Sequence, residues 1–179
     1  IKILDINRFL NRLNFLLNKS MISILNIKQR NEKFHSRYSA KARIYQYIIL
    51  NRESVPTINK NRVWHIRKKI NLENIKRGAK FLVGKKDFST FRASSCSAKT
   101  PIRTLEKVKI LKKKNQIFIE FRSRSFLQTQ VRSMVGCLKY LGEGKWDLKK
   151  FKNVTLSKKR IFCAPPAPPS GLFLKKVIY

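Results

Sequence analysis

Acidic residues are scarce in this chain. Nine Asp and Glu stand against 42 Lys and Arg in 179 residues, a formal charge of +33. A compact body so charged repels itself, and a polyanion relieves the repulsion; nucleic acid is the leading candidate. The chain is also rich in Lys, Ile and Asn, as AT-rich coding sequences tend to be, but that bias explains abundant lysine better than missing carboxylates. Long apolar runs are absent: none reaches the roughly 18 residues that span a bilayer. No basic start, apolar stretch and small-residue cleavage site occur in succession. No membrane partner is expected, and the expected location is cytoplasmic. Cysteine is sparse. Cys96, Cys137 and Cys163 are odd in number, far apart in the chain and form no CxxC pair, which favours reduced thiols over a disulfide framework or a zinc site. With only His35 and His65 besides, no metal site is expected. Glycine is limited to six residues, and no Gly-rich phosphate loop or nucleotide-binding motif occurs. The chain begins with Ile1 rather than Met, which suggests a fragment of a longer product.

Hydrophobic residues make up 42% of the chain, enough for a buried core. Ile6, Phe9, Leu10, Leu13 and Leu17 recur at helical spacing. Residues 21–27 read as a short strand. Residues 38–50 read as a long one, with Tyr38, Ala40, Ala42, Ile44 and Ile48 on one face and Lys41, Arg43, Tyr45 and Tyr47 on the other. The second face is therefore basic and aromatic, either an ordinary solvated face or one that stacks on bases and holds phosphates. Asn71 is placed to cap a helix over residues 72–83, and Asp147 one reaching about Val154. Residues 104–111 and 116–123 alternate around a lysine-rich turn and predict a hairpin. Residues 126–141 form the most apolar helix, and residues 171–179 alternate as a last strand. Hairpin strands and segregated helices predict an α+β fold, an antiparallel sheet with helices on one face.

Four segments, taken together, resemble the tRNA pseudouridine synthase A family. They are residues 34–47 (FHSRYSAKARIYQY), residues 84–104 (GKKDFSTFRASSCSAKTPIRT), residues 125–136 (SFLQTQVRSMVG) and residues 164–179, which include APPSGLFL. They occur in the family's order and at its approximate spacing. The resemblance covers residues 34–179, and residues 1–33 fit the preceding part of the family less specifically.

The resemblance implies isomerisation of uridine to pseudouridine in the anticodon stem-loop of tRNA, with no cofactor and no metal. It implies two similar halves sharing a continuous sheet. Residues 1–33 would then be the tail of the first half and residues 34–179 the second, within a homodimer that clamps tRNA. Tyr45 matches the family's pocket tyrosine and Arg132 the arginine that pairs with the catalytic aspartate. Their ordinary alternatives are a packed strand aromatic and a structural ion pair. Phe34, His35, Ser36, Arg37 and Tyr38 match one RNA-contacting stretch. Ser95, Cys96, Ser97, Ala98 and Lys99 match another. The family's Arg-Thr-Asp-Ala-Gly-type motif is not found. The chain's aspartates are Asp5, Asp87 and Asp147, and none is assigned as nucleophile. Gln128, Thr129 and Gln130 stand where the family usually carries a His-His pair. The alternative function is non-catalytic RNA binding.

Overall fold

The computed structural model describes residues 5–179. The chain divides into two compact units between Ser39 and Ala40.

In the first unit, α1 (Ile6–Leu17) is capped by Asp5, whose carboxylate accepts from the Arg8 N–H at 2.9 Å. Leu10, Leu13 and Leu17 are half-buried, while Ile6, Phe9, Phe15 and Leu16 remain exposed. The helix predicted from the apolar spacing is present, but none of its residues is buried. Residues 21–27 form no strand. The Asn14 side chain accepts from the Ile24 N–H at 2.7 Å and donates to the Ile24 carbonyl at 2.9 Å. A side-chain amide thus takes the two bonds that a neighbouring strand would supply.

Residues 38–41 also depart from the predicted strand, and the cause is a compact turn over residues 35–39. His35 Nδ1 accepts from the backbone N–H groups of Arg37 and Tyr38, and Ser39 Oγ accepts from His35 N–H. The Ser39 N–H closes on the His35 carbonyl at 2.8 Å. Local side-chain bonds of this kind compete with extended pairing.

The second unit is built on a sheet in the order β2-β1-β5-β4-β3, with β6 also paired to β1. The strands are β1 (Ala42–Asn51), β2 (Trp64–Ile66), β3 (Gly84–Asp87), β4 (Ile102–Lys113), β5 (Gln116–Ser123) and β6 (Leu172–Ile178). All pairings are antiparallel except β1 with β2. The helices are α2 (Leu72–Lys80), α3 (Gln130–Gly142) and α4 (Leu148–Leu156). Asn71 and Asp147 cap α2 and α4 through the backbone N–H groups of Asn74 and Lys150. One sheet face carries Tyr47, Ile49, Leu105, Ile117, Ile119 and Phe121, which join Ile75, Val135, Leu138, Leu141 and Phe151 in a single core. Burying each large side chain of this kind stabilises by about 1.5–3 kcal/mol. The architecture is α+β, with a mostly antiparallel sheet and its helices on one face.

The face assignment of β1 is the reverse of the predicted one. Tyr47 and Ile49 are fully buried beneath the helices, whereas Ile44, Gln46 and Ile48 lie on the half-exposed side. Apolar residues occupy both faces of this strand, and alternation alone does not say which face the helices will cover. β3 is a further element beyond the prediction. Its Gly-Lys-Lys-Asp sequence has little strand propensity, and its pairing with residues 102–105 of β4 imposes the conformation.

Candidate active site

β1 carries Tyr45 and Tyr47, α3 carries Arg132, and the proline-rich segment of residues 164–169 contacts both Tyr47 and Arg132. Tyr45 sits on the helix-facing side of β1 and is half-buried. Its ring meets Phe126 edge-on, with centroids 5.1 Å apart and planes at 88°. Such a contact adds about 0.5–1.5 kcal/mol beyond burial and fixes the ring's orientation. Its hydroxyl donates to no group among the described residues.

Two residues along the same face, the Tyr47 hydroxyl donates to the Pro168 carbonyl at 2.6 Å. Burial pushes the Tyr47 phenol well above its ordinary value, against a smaller opposing pull from the Arg132 charge. Tyr47 therefore stays neutral and acts as a strut. Tyr47→Phe should lower stability by about 1–2 kcal/mol, because a bond is lost and a carbonyl is left without its donor. Urea unfolding would measure this, and an unchanged midpoint would show that the hydroxyl contributes nothing.

Arg132 lies on the first turns of α3 and is half-buried. Its Nε donates to the Ala167 carbonyl at 2.6 Å, while its own carbonyl accepts from the Ala167 N–H at 3.0 Å. The guanidinium is thus held at one nitrogen by backbone. No carboxylate lies within ion-pair distance of it among the described residues. The neighbouring carbonyls of Ala167 and Pro168 hold Arg132 and Tyr47, so one rigid segment positions both.

The start of α3 is unusual. Thr129 adopts φ 66°, a conformation disfavoured for a β-branched residue. Gln130 is buried, and its side-chain oxygen accepts from the Leu127 N–H at 2.8 Å, closing the turn that leads into the helix. Gln128 accepts from the Ala93 N–H through its carbonyl at 3.1 Å. The loop that follows Ala93 is therefore tied to the base of α3. Within that loop Ser95, Ser97 and Lys99 are exposed, whereas Cys96 is buried and Ala98 half-buried. Arg92, a residue the sequence reading did not single out, donates to the carbonyls of Cys96 and Ala98 at 2.6 and 2.8 Å. Backbone N–H groups of Ala98 and Gln128 together with the Arg92 charge hold the Cys96 thiol below its ordinary value, against the opposing effect of burial.

Phe34, His35, Ser36, Arg37 and Tyr38 belong to the first unit. Their turn exposes all but the half-buried Phe34. The rings of His35 and Tyr38 lie 4.4 Å apart, and the guanidinium of Arg37 sits 5.9 Å from the Tyr38 ring centre. A cation over an exposed ring is a suitable platform for a nucleotide, offering charge and a π-face together.

All three aspartates are engaged locally. Asp5 and Asp147 are helix caps. Asp87 accepts from the Ser89 N–H at 2.8 Å; burial raises its carboxyl, but the Ser89 bonds and the Lys158 charge outweigh that and hold it below the ordinary range. Among the described residues no group of three metal-ligating side chains occurs, and no helix is long and apolar enough to cross a membrane.

A family model described as tRNA pseudouridine synthase matches residues 79–179. A protein of Pelagibacter ubique named tRNA pseudouridine synthase A is 60% identical over 178 residues, covering 99% of this chain and 72% of the relative. Proteins of the same name from Bartonella tribocorum and Caulobacter vibrioides are 46% and 40% identical, over 88% and 94% of this chain. The chain spans 64% of the former and 68% of the latter.

Proposed function

This chain belongs to the tRNA pseudouridine synthase A family, and from that membership we propose that its protein isomerises uridine to pseudouridine in the anticodon stem-loop of tRNA. Tyr45 packs against the target base, and Arg132 pairs with the catalytic carboxylate. The observation that carries this reading is Arg132 itself, anchored to the Ala167 carbonyl at 2.6 Å and paired with no acid among the described residues. A cation so placed keeps a neighbouring carboxylate ionised and lowers its pKa, as an attacking or proton-abstracting aspartate requires. Asp5, Asp87 and Asp147 each cap a turn or helix, so the carboxylate is assigned to residues outside these 179.

Residues 1–33 are proposed as the tail of a first half and residues 34–179 as the second half, in a homodimer. RNA is held by the ring-and-cation turn of Phe34, His35, Ser36, Arg37 and Tyr38. It is held also by the loop of Ser95, Cys96, Ser97, Ala98 and Lys99. In that loop Ser95, Ser97 and Lys99 offer side chains, while Cys96 and Ala98 shape the backbone. Extracting the target base from its stack costs a few kcal/mol. Phosphate contacts from a chain of charge +33 offset that cost.

The test is pseudouridine mapping on an unmodified tRNA transcript, by primer extension after carbodiimide treatment. The complete protein should convert uridines of the anticodon stem-loop. The 179 residues alone should bind the transcript and convert none. Absence of product with the complete protein would leave RNA binding without catalysis as the function. Turnover by the 179 residues alone would overturn the assignment of the carboxylate.

A further inference from the structure

Two thiols distant in sequence meet inside the second unit. Cys137 lies in the middle of α3 and is fully buried. Cys163 follows the short turn of Arg160–Phe162 and is partly accessible. Their sulfur atoms are 3.5 Å apart. Arg160 closes one side of the pair, donating to Ser133 Oγ at 2.9 Å. Cys96, in contrast, has no other thiol within hydrogen-bonding distance among the described residues.

We infer that Cys137 and Cys163 form a reversible disulfide, with Cys163 as the attacking thiol and Cys137 as the resolving one. Three features point to that order. Cys163 is the accessible member, so an external disulfide reaches it first. The hydrogen bond from the Cys137 thiol and the Arg160 charge hold the Cys163 thiol below its ordinary value, while the same bond and burial push Cys137 up. A thiolate stabilised in this way is the nucleophile in thiol–disulfide exchange. The oxidant is a low-molecular-weight disulfide. The Cys163 thiolate attacks one of its sulfurs, forming a mixed disulfide and releasing one thiolate. That thiolate takes the Cys137 proton. Cys137 then attacks the Cys163 sulfur and expels the second thiolate, which takes from solvent the proton that Cys163 released, so two protein thiols and one small disulfide become one protein disulfide and two small thiols.

The geometry requires only a short movement. A disulfide bond is about 2.05 Å long, so the sulfurs approach by roughly 1.5 Å. The bond would fasten residues 163–168 to α3 close to the Ala167 contact with Arg132. The sequence spacing gave no hint of this, because the partners are 26 residues apart and only the fold brings them together.

The test is incubation of the folded protein with oxidised glutathione, followed by alkylation and peptide mapping. Wild type should lose two alkylatable thiols, link Cys137 to Cys163, unfold at a higher denaturant concentration and revert with dithiothreitol. Cys137→Ser should stop at a mixed disulfide on Cys163. Cys163→Ser should leave Cys137 reduced. Three alkylatable thiols in oxidised wild type, or a disulfide that includes Cys96, would overturn the inference. Because the wild-type result alone decides it, poor folding of a serine variant leaves the test intact. Neither arm depends on pseudouridine formation, so failure of the pair and failure of the proposed activity are told apart.

Discussion

Arg132→Ala in the complete protein is expected to lower kcat/KM for pseudouridine formation by about 10²–10³-fold, the usual effect of removing one preorganised charge partner from a reacting centre. The loss should fall mainly on kcat, since the guanidinium acts on the carboxylate rather than on tRNA as a whole. The pH profile distinguishes this role from a structural one. Without the cation, the pKa of the paired carboxylate rises, so the acidic limb of the rate profile should move to higher pH. Arg132→Lys retains a charge but not the planar fork that binds the Ala167 carbonyl and a carboxylate together. It should recover part of the rate and part of the shift. Unchanged kcat/KM in Arg132→Ala, with the protein folded, would remove Arg132 from the chemistry. A uniform loss with no movement of the acidic limb would make it a packing residue.

Local chemistry made much of this fold legible in the sequence. Asn71 and Asp147 precede their helices and cap them as their short polar side chains predict. The hairpin of β4 and β5 follows from alternation around a polar turn, with Lys114 at φ 50° at its tip. The legible part stops where long-range contact decides. β1 has apolar residues on both faces, so only the docking of α2, α3 and α4 reveals that Tyr47 and Ile49 face inward. The turn of residues 35–39 depends on His35 Nδ1 accepting two backbone bonds, a pattern that aromatic and basic alternation conceals. Tyr45 and Arg132 were picked out through family resemblance and not through periodicity. Arg160 lies outside the resembling segments and Arg92 is inside one without being singled out, because their role is to donate to loop carbonyls and a buried hydroxyl that no spacing rule anticipates.

Gly136→Ala should be the most destabilising single-methyl change near the site. Alanine is the better helix former by about 0.8–1 kcal/mol, so propensity alone predicts a gain for this position in α3. Steric exclusion opposes it and wins. A Cβ at residue 136 would lie 2.1 Å from the Pro165 carbonyl oxygen and 3.2 Å from its carbon. That neighbour is backbone, and it cannot give locally. Pro165, Pro166, Pro168 and Pro169 lock four of the surrounding φ angles. The segment must therefore move away as a unit. Moving it breaks the Ala167 N–H bond to the Arg132 carbonyl and the Arg132 Nε bond to the Ala167 carbonyl, and strains the Tyr47 strut to Pro168. Overpacking costs about 1–3 kcal/mol and each of the two lost bonds about 1 more, which after the propensity gain leaves a net loss of about 2–4 kcal/mol. Gly78→Ala is the comparison. Its added Cβ would meet the Leu141 Cδ2 atom at 2.3 Å, a side-chain end that can rotate, so its loss should be smaller. Urea unfolding of the two variants side by side gives the measurement. A Gly136 variant as stable as wild type would mean that the proline segment yields freely, and a segment that yields freely could not hold Arg132 in register with Tyr47.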